Sequence, residues 1–247
     1  MKSLLLFLIF ISQFGFGQKL KKSDKQIIEN LKTEITFLSS DKMEGRRTGT
    51  PGEKMAYEYL SGQFEKTGLI PKGDGKSYIQ AFEINEGKQI LPATHFIING
   101  DSLDNKKDFF PFIFSSDGII KADASPAFQE KGMPWFLDIS DNLKDNKNNP
   151  HYDLEQAIIK KAMEFEKKGA SACIVYNSGT IGDELMFDGK SKINRIKMPI
   201  VYLTKNVSDK FLKDKSANFN LDLQVAIGDK KRTGHNVIGY IDNGAAH

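Results

Sequence analysis

Apolar residues recur at helical spacing in two stretches near the start of the chain. Ile27, Leu31, Ile35 and Leu38 share one face, which predicts a helix over 24–38, with Ser23 and Gln26 available for a capping box. Ala56, Leu60 and Phe64 repeat four residues apart with Tyr59 beside them, which predicts a second helix over 52–67. Its punctuation is dense. Thr50 stands at the N-cap, Pro51 at the first helical position and Glu53 where a capping box closes. Gly68 suits a left-handed C-cap, and Pro71 stops any continuation. Both helices are amphipathic, so each needs a sheet to cover.

The pattern then shortens. Tyr78 to Ile84 reads as a strand, and composition changes near Gly87. Strand patterns follow at 95–99, 109–114 and 135–139. The charged, Asn-rich stretch 140–153, with Pro150, reads as an exposed loop. Leu154, Ile158, Ala162 and Phe165 mark a helix ending at Gly169, and 172–176 is an apolar strand directly after it. Further strands are predicted at 198–203, 219–227 and 236–242. Asn243-Gly244 is a hairpin turn signal with only three residues after it.

The chain has 247 residues, enough for one large or two small domains. Its 35 basic and 32 acidic residues give a net charge of +3, scattered rather than clustered, and no aromatic-basic motif points to a nucleic-acid partner. Residues 1–17 read as a signal peptide: Lys2, an apolar run from Leu4 to Ile11, then Gly15-Phe16-Gly17 before a cut at Gln18. That run is too short to span a membrane. A secreted or periplasmic protein with no membrane attachment after signal removal is therefore expected. Cys173, in the apolar run ACIVY, is the only cysteine, which excludes an intramolecular disulfide and a cysteine zinc cluster.

The wording around the second helix is more specific than its periodicity. GRRTGTPGEKMAYEYL, followed by FEKTGLIPKGDGKSYIQAF, resembles the N-terminal region of secreted di-zinc aminopeptidases (metallopeptidase family 28). The resemblance spans about Lys22 to Glu83 and returns in TGHNVIGYIDNG, from Thr233 to Gly244. EKKGASACIVYNSG and the later MPIVYLT resemble a protease-associated domain, a non-catalytic insert often carried by that family. The resemblance implies an α/β fold: an incomplete peptidase α/β sandwich, of which two helices and two strands are present, with an inserted α+β protease-associated domain. The expected segments are 1–17 signal peptide, 18–88 N-terminal part of the peptidase domain, 89–230 insert, and 231–247 a truncated return strand.

The same resemblance implies a parent that hydrolyses N-terminal residues from peptides with two zinc ions. The family's ligands come from a His-x-Asp motif, a Glu-Glu pair and later Asp and His; no Glu-Glu pair occurs here, and the one His-x-Asp triplet, His151-Tyr152-Asp153, falls in the charged loop stretch rather than after a return strand. The chain is expected to stop a few residues before His-x-Asp. No catalytic, cofactor-binding or metal residue is therefore assigned: no cofactor is expected in this chain, and peptide substrates would be engaged by the missing catalytic part. No two of the four histidines, His95, His151, His235 and His247, stand at ligand spacing from each other. His95 reads as structural, His151 as solvated, and His235 lies outside the family's usual ligand set.

There is no Gly-x-Ser-x-Gly elbow, and the glycine loop 45–52 lacks the ending of a phosphate cradle. Arg46 and Arg47 are candidates to bind a carboxylate or to pair with surface acids. Asn206-Val-Ser208 matches a glycosylation acceptor. Besides the amputated peptidase, two readings stand: a secreted binding protein built on the protease-associated domain, and a carbohydrate-binding region using Trp135 and Phe136. For those two aromatics a core role is the ordinary expectation. Nothing in the sequence fixes an oligomeric state.

Overall fold

The computed structural model describes residues 21–242 and Gly244. The signal-peptide segment, Asn243 of the hairpin signal and His247 lie outside the described residues. The chain is mixed α/β and divides into two compact units: one runs to Glu83 and resumes at Thr233, the other spans Ile84–Arg232.

The first unit opens with α1 (Lys22–Leu38), two residues earlier than its periodicity suggests. Asp24, not Gln26, closes its first turn: its carboxylate accepts the Lys21 amide at 3.2 Å. A carboxylate near a helix N-terminus is favoured over an amide by the helix dipole. Gln26 instead donates to Asn30 one turn on. After a 3-10 turn at Asp41–Arg46 comes α2 (Pro51–Lys66), with Thr50 at the N-cap and Pro51 first, as its punctuation predicts. The cap bonds differ from the expected box. Thr50 Oγ1 donates back to the Arg47 carbonyl at 2.5 Å, and Glu53 turns elsewhere. The C-terminus is a Schellman motif at Gly68, φ 74°: the amides of Gly68 and Leu69 donate to the carbonyls of Glu65 and Phe64.

β1 (Ile70–Pro71), the outer part of β2 (Ile79–Ile90), the end of β11 (Ile227–Val237) and β12 (Gly239–Tyr240) complete this unit. β2 pairs with β11, and β1 with β12. The single strand expected at 236–242 is thus two. At Ile238 the chain changes partner, its amide donating to Tyr78 and its carbonyl accepting from Lys72. β2 also runs six residues past the expected end at Ile84, straight through the composition change at Gly87. Among the described residues of this unit, only Met43 and Ala56 are buried apolar side chains. Helix α1 buries nothing, and its face of Ile27, Leu31 and Ile35 is 50 to 63% exposed.

The second unit contains the large core. Its remaining elements are β3 (His95–Ile98), β4 (Asp101–Leu103), β5 (Phe109–Pro111), β6 (Gly118–Ala124), β7 (Pro134–Asp138), α3 (Ser140–Asp145), α4 (Leu154–Lys168), β8 (Ala172–Tyr176), β9 (Ile200–Leu203), α5 (Lys205–Phe211) and β10 (Phe219–Val225). One antiparallel sheet has the order β4-β3-β10-β6, the other β5-β9-β8-β7, with β7, β8 and β9 parallel. The crossover from β7 to β8 carries α4, capped by Asp153 on the Gln156 amide and closed by Gly169 at φ 95°. β8 is buried at all five positions, as a central parallel strand must be, whereas β10 alternates.

Three expectations change here. The apolar run 109–114 is a strand only to Pro111; the amide of Phe112 still reaches Ile200, but Ile113 and Phe114 turn inward as buried loop residues. Apolar content reported burial there, not strand geometry. The loop 140–153 begins with α3. The helix α5 had no sequence signal long enough to separate it from the strand before it, since it is only seven residues.

Candidate functional site

The two segments that carry the aminopeptidase resemblance meet in the first unit. Glu53 is the joint. One carboxylate oxygen accepts the Gly49 amide at 2.5 Å, and the other accepts the His235 amide at 3.0 Å. The His235 ring lies 3.6 Å from the carboxylate through Nδ1 and 4.6 Å from the Tyr57 ring, centroid to centroid. Burial pushes the Glu53 carboxyl up, but the Gly49 and His235 amides and the His235 ring outweigh it, so it sits below the usual range. Two glycines make the approach possible. A Cβ on Gly234 would lie 2.5 Å from Thr48 Cγ2 and 2.7 Å from the Phe82 ring, and one on Gly52 would overlap the Met43 carbonyl. The arrangement fastens strand to loop. It offers no group aimed at a substrate, because Glu53 is committed to backbone donors.

The second polar cluster stands at the C-terminal ends of the parallel strands, where ligands bind in many open α/β sheets. Asp138, the last residue of β7, accepts from the amides of Ser140 and Ser178 at 3.1 Å, from Ser178 Oγ at 2.5 Å and from Lys215 Nζ at 2.8 Å. Burial alone would raise its pKa; the Lys215 ammonium, the Ser178 hydroxyl and the two amides bring it down to about 2. A carboxylate so saturated is a poor base, so Ser178 has no partner to activate it. The cluster ties the exits of β7 and β8 together. Sequence reading missed it because its members are far apart in the chain and no motif links them.

The other candidates are held apart. His95 faces two acceptors, the Asp222 carboxylate 3.3 Å from Nε2 and the Ala93 carbonyl 3.2 Å from Nδ1, and so holds a structural place beside β10. His151 lies exposed in a turn beside Asn149. Cys173 is fully buried, and burial pushes its thiol far above the ordinary value, so it is inert. Arg46 and Arg47 are exposed on the loop before α2. Trp135 and Phe136 do not form a sugar platform: Trp135 is 4% exposed, donates through Nε1 to the Glu130 carbonyl and packs edge-on against Phe165. Phe136 packs against Tyr176 and Phe219. The acceptor triplet sits on α5, where Asn206 is exposed but Ser208 is buried with its hydroxyl on the Lys205 and Asn177 carbonyls.

Among the described residues no group of three or more His, Cys, Asp or Glu side chains is placed to hold a metal ion. The described residues therefore do not assemble a zinc pair, which needs imidazole and carboxylate ligands converging on each ion.

No family model matches the chain, and no curated protein does. Among solved structures it is similar to an aminopeptidase from Aneurinibacillus sp. strain AM-1, at 20% identity over 85% of this chain and 47% of that one, with a TM-score of 0.40. It is similar to a zinc aminopeptidase from Bacillus subtilis at 17% identity, over 84% of this chain and 45% of that one, TM-score 0.38. A peptidase M28 precursor from Shewanella amazonensis SB2B gives 13% identity, 87% and 53% coverage and a TM-score of 0.34. The chain spans about half the length of these proteins.

Proposed function

We propose that this chain is the N-terminal portion of a secreted zinc-dependent aminopeptidase, with a protease-associated domain inserted between its peptidase segments. In this reading the two zinc ions and the groups that act on the peptide belong to the rest of the parent. The chain alone holds no metal pair and hydrolyses nothing.

The observation that carries the reading is the condition of the first unit. Its two resembling segments interlock through Glu53, with glycines at the close approaches, so the local fold is specified in detail. Yet the helices specified with it have little to cover, and Ile27, Leu31 and Ile35 of α1 lie open. An amphipathic helix gains most of its stability from burying its apolar face. Such a helix beside a well-made joint is what part of a larger α/β domain would show.

The test has two arms. The gene is read past codon 247, where continuation into a His-x-Asp motif is expected and a stop codon would sink the reading. The chain itself is assayed on aminoacyl nitroanilides and its metal counted after dialysis; turnover above a metal-free blank contradicts the inactivity.

One observation favours a second reading, a stand-alone secreted binding module. The large hydrophobic core lies wholly within the second unit, from Phe96 to Ile227. A stop codon after His247, with a folded, monodisperse protein from the natural host, would select it.

A further inference from the structure

Strand β6 is the edge of its sheet. It pairs with β10 over its whole length, from Gly118 to Ala124, and no strand among the described residues pairs on its other side. Such an edge is a template for another strand. Its outward positions are Ile119, Lys121 and Asp123; Ile119 is 62% exposed and the Lys121 side chain 70% exposed. At its C-terminal end lies a cavity of about 180 Å³ lined by Asp123, Ala124, Ser125, Phe128, Met133 and Pro134 among others. Phe128 is 63% exposed at that place.

We propose that this edge is an interface with a second copy of the chain, β6 pairing antiparallel to β6 about a two-fold axis through Ala122. The charges select the register. Directly opposed residues in an antiparallel pair share a face. An axis at Lys121 sets two lysines against each other, which is unfavourable. An axis at Ala122 sets Lys121 against the partner's Asp123, and Asp123 against the partner's Lys121, so one pairing makes two ion pairs. Both groups have capacity left. Lys121 Nζ holds Asp222 at 2.9 Å and has further N–H donors, while Asp123 accepts from Asn220 through Oδ1 and has Oδ2 free for a second donor.

The same register carries the partner's Ile119 just past the end of β6 at Ala124, the end at which the cavity and Phe128 lie. A closed, self-complementary patch of this kind is the commonest geometry of homodimers.

The test is sedimentation equilibrium of the whole chain over a wide concentration range, with folding checked by circular dichroism. A monomer–dimer equilibrium is expected. Lys121→Asp and Asp123→Lys should each weaken the dimer by about thirtyfold, since each replaces two attractive cross-strand pairs by two repulsive ones. The double reversal Lys121→Asp/Asp123→Lys should restore it, a rescue that a mere loss of folding would not give. The proposal is overturned by a chain that stays monomeric, by a dimer indifferent to both single reversals, or by a dimer abolished instead by Leu31→Glu on α1. A monomer whose β6 edge takes up an extended peptide overturns it equally.

Discussion

The carboxylate of Glu53 accepts the backbone amide of His235 at 3.0 Å across 182 residues of chain. The whole second unit lies between the two, so this bond closes a very long loop with one side chain. Replacing Glu53 by Gln leaves one uncharged oxygen to accept a single amide and sets an NH2 donor against the other. Hydrogen bonds to charged groups contribute about 1.5–3 kcal/mol when made to partly buried donors. Glu53→Gln should therefore speed hydrogen exchange at the amides of Gly49 and His235 by tenfold or more, and leave amides of β8 unchanged.

The same bond predicts an acid dependence. The folded pKa of Glu53 lies below its unfolded value. A depressed carboxyl contributes stability that is present above the unfolded pKa and is lost as pH falls through the folded one. Protection of the His235 amide should thus fall as pH drops below about 4, near the unfolded glutamate value. In Glu53→Gln that loss should be absent. An identical acid profile in the variant would assign the effect to another group.

Asp138 makes the corresponding prediction for the second unit. Its pKa falls to about 2, so its contribution is complete above about pH 4 and disappears between about pH 4 and pH 2. Allowing for partial solvent screening, Asp138→Asn should cost about 1–2 kcal/mol at neutral pH and should flatten the unit's acid melting curve over that window. Lys215→Met, which removes one of the four partners, should cost less. Thermal melts followed by near-UV circular dichroism, dominated by buried Trp135, measure both.

How much of this was legible in the sequence follows from which interactions are local. Helix α4 was legible, because its periodic apolar face and Gly169 lie within one stretch; its cap, Asp153, read only as the end of a loop. β8 was fixed too, because a buried central strand is apolar throughout. The position of α2 was legible, but not the use of Glu53: a capping box satisfies only the local donors, whereas the folded chain brings the His235 amide within reach. The split at Ile238 was invisible for the same reason, since the partner change depends on Tyr78 and Lys72. The Asp138 cluster draws Ser140, Ser178 and Lys215 from three separate segments, and no single stretch records it. Trp135 and Phe136 were ambiguous as sequence, and burial decides them.

The exposed face of α1 predicts an asymmetry between two similar substitutions. Leu31 is 50% exposed, so Leu31→Glu should change thermal stability by less than about 0.5 kcal/mol and reduce aggregation on heating. Ile158, on α4, is 1% exposed, and Ile158→Ala should cost about 2–5 kcal/mol. If Leu31→Glu proves as damaging as Ile158→Ala, α1 packs against something in this chain and the idea of an uncovered helix fails.

Glycine to alanine inside a helix ordinarily stabilises by about 0.5–1 kcal/mol, because alanine has less freedom to lose on folding. Helix α2 contains two glycines for which the expectation has opposite sign. Gly62 has open space where its Cβ would go, so Gly62→Ala should raise the stability of the first unit by about that amount. Gly52 lies at the second helical position, and its Cβ would overlap the Met43 carbonyl, a backbone atom that no rotamer change can move. Gly52→Ala must therefore shift the 3-10 turn at Asp41–Arg46 away from α2, and with it the loop whose Gly49 amide Glu53 holds. A loss of about 1–3 kcal/mol is expected, typical of overpacking. Hydrogen exchange at Met43 and Gly49 measures both variants: faster in Gly52→Ala, unchanged or slower in Gly62→Ala. Equal effects of the two would mean that the close contact between loop and helix does not specify this unit.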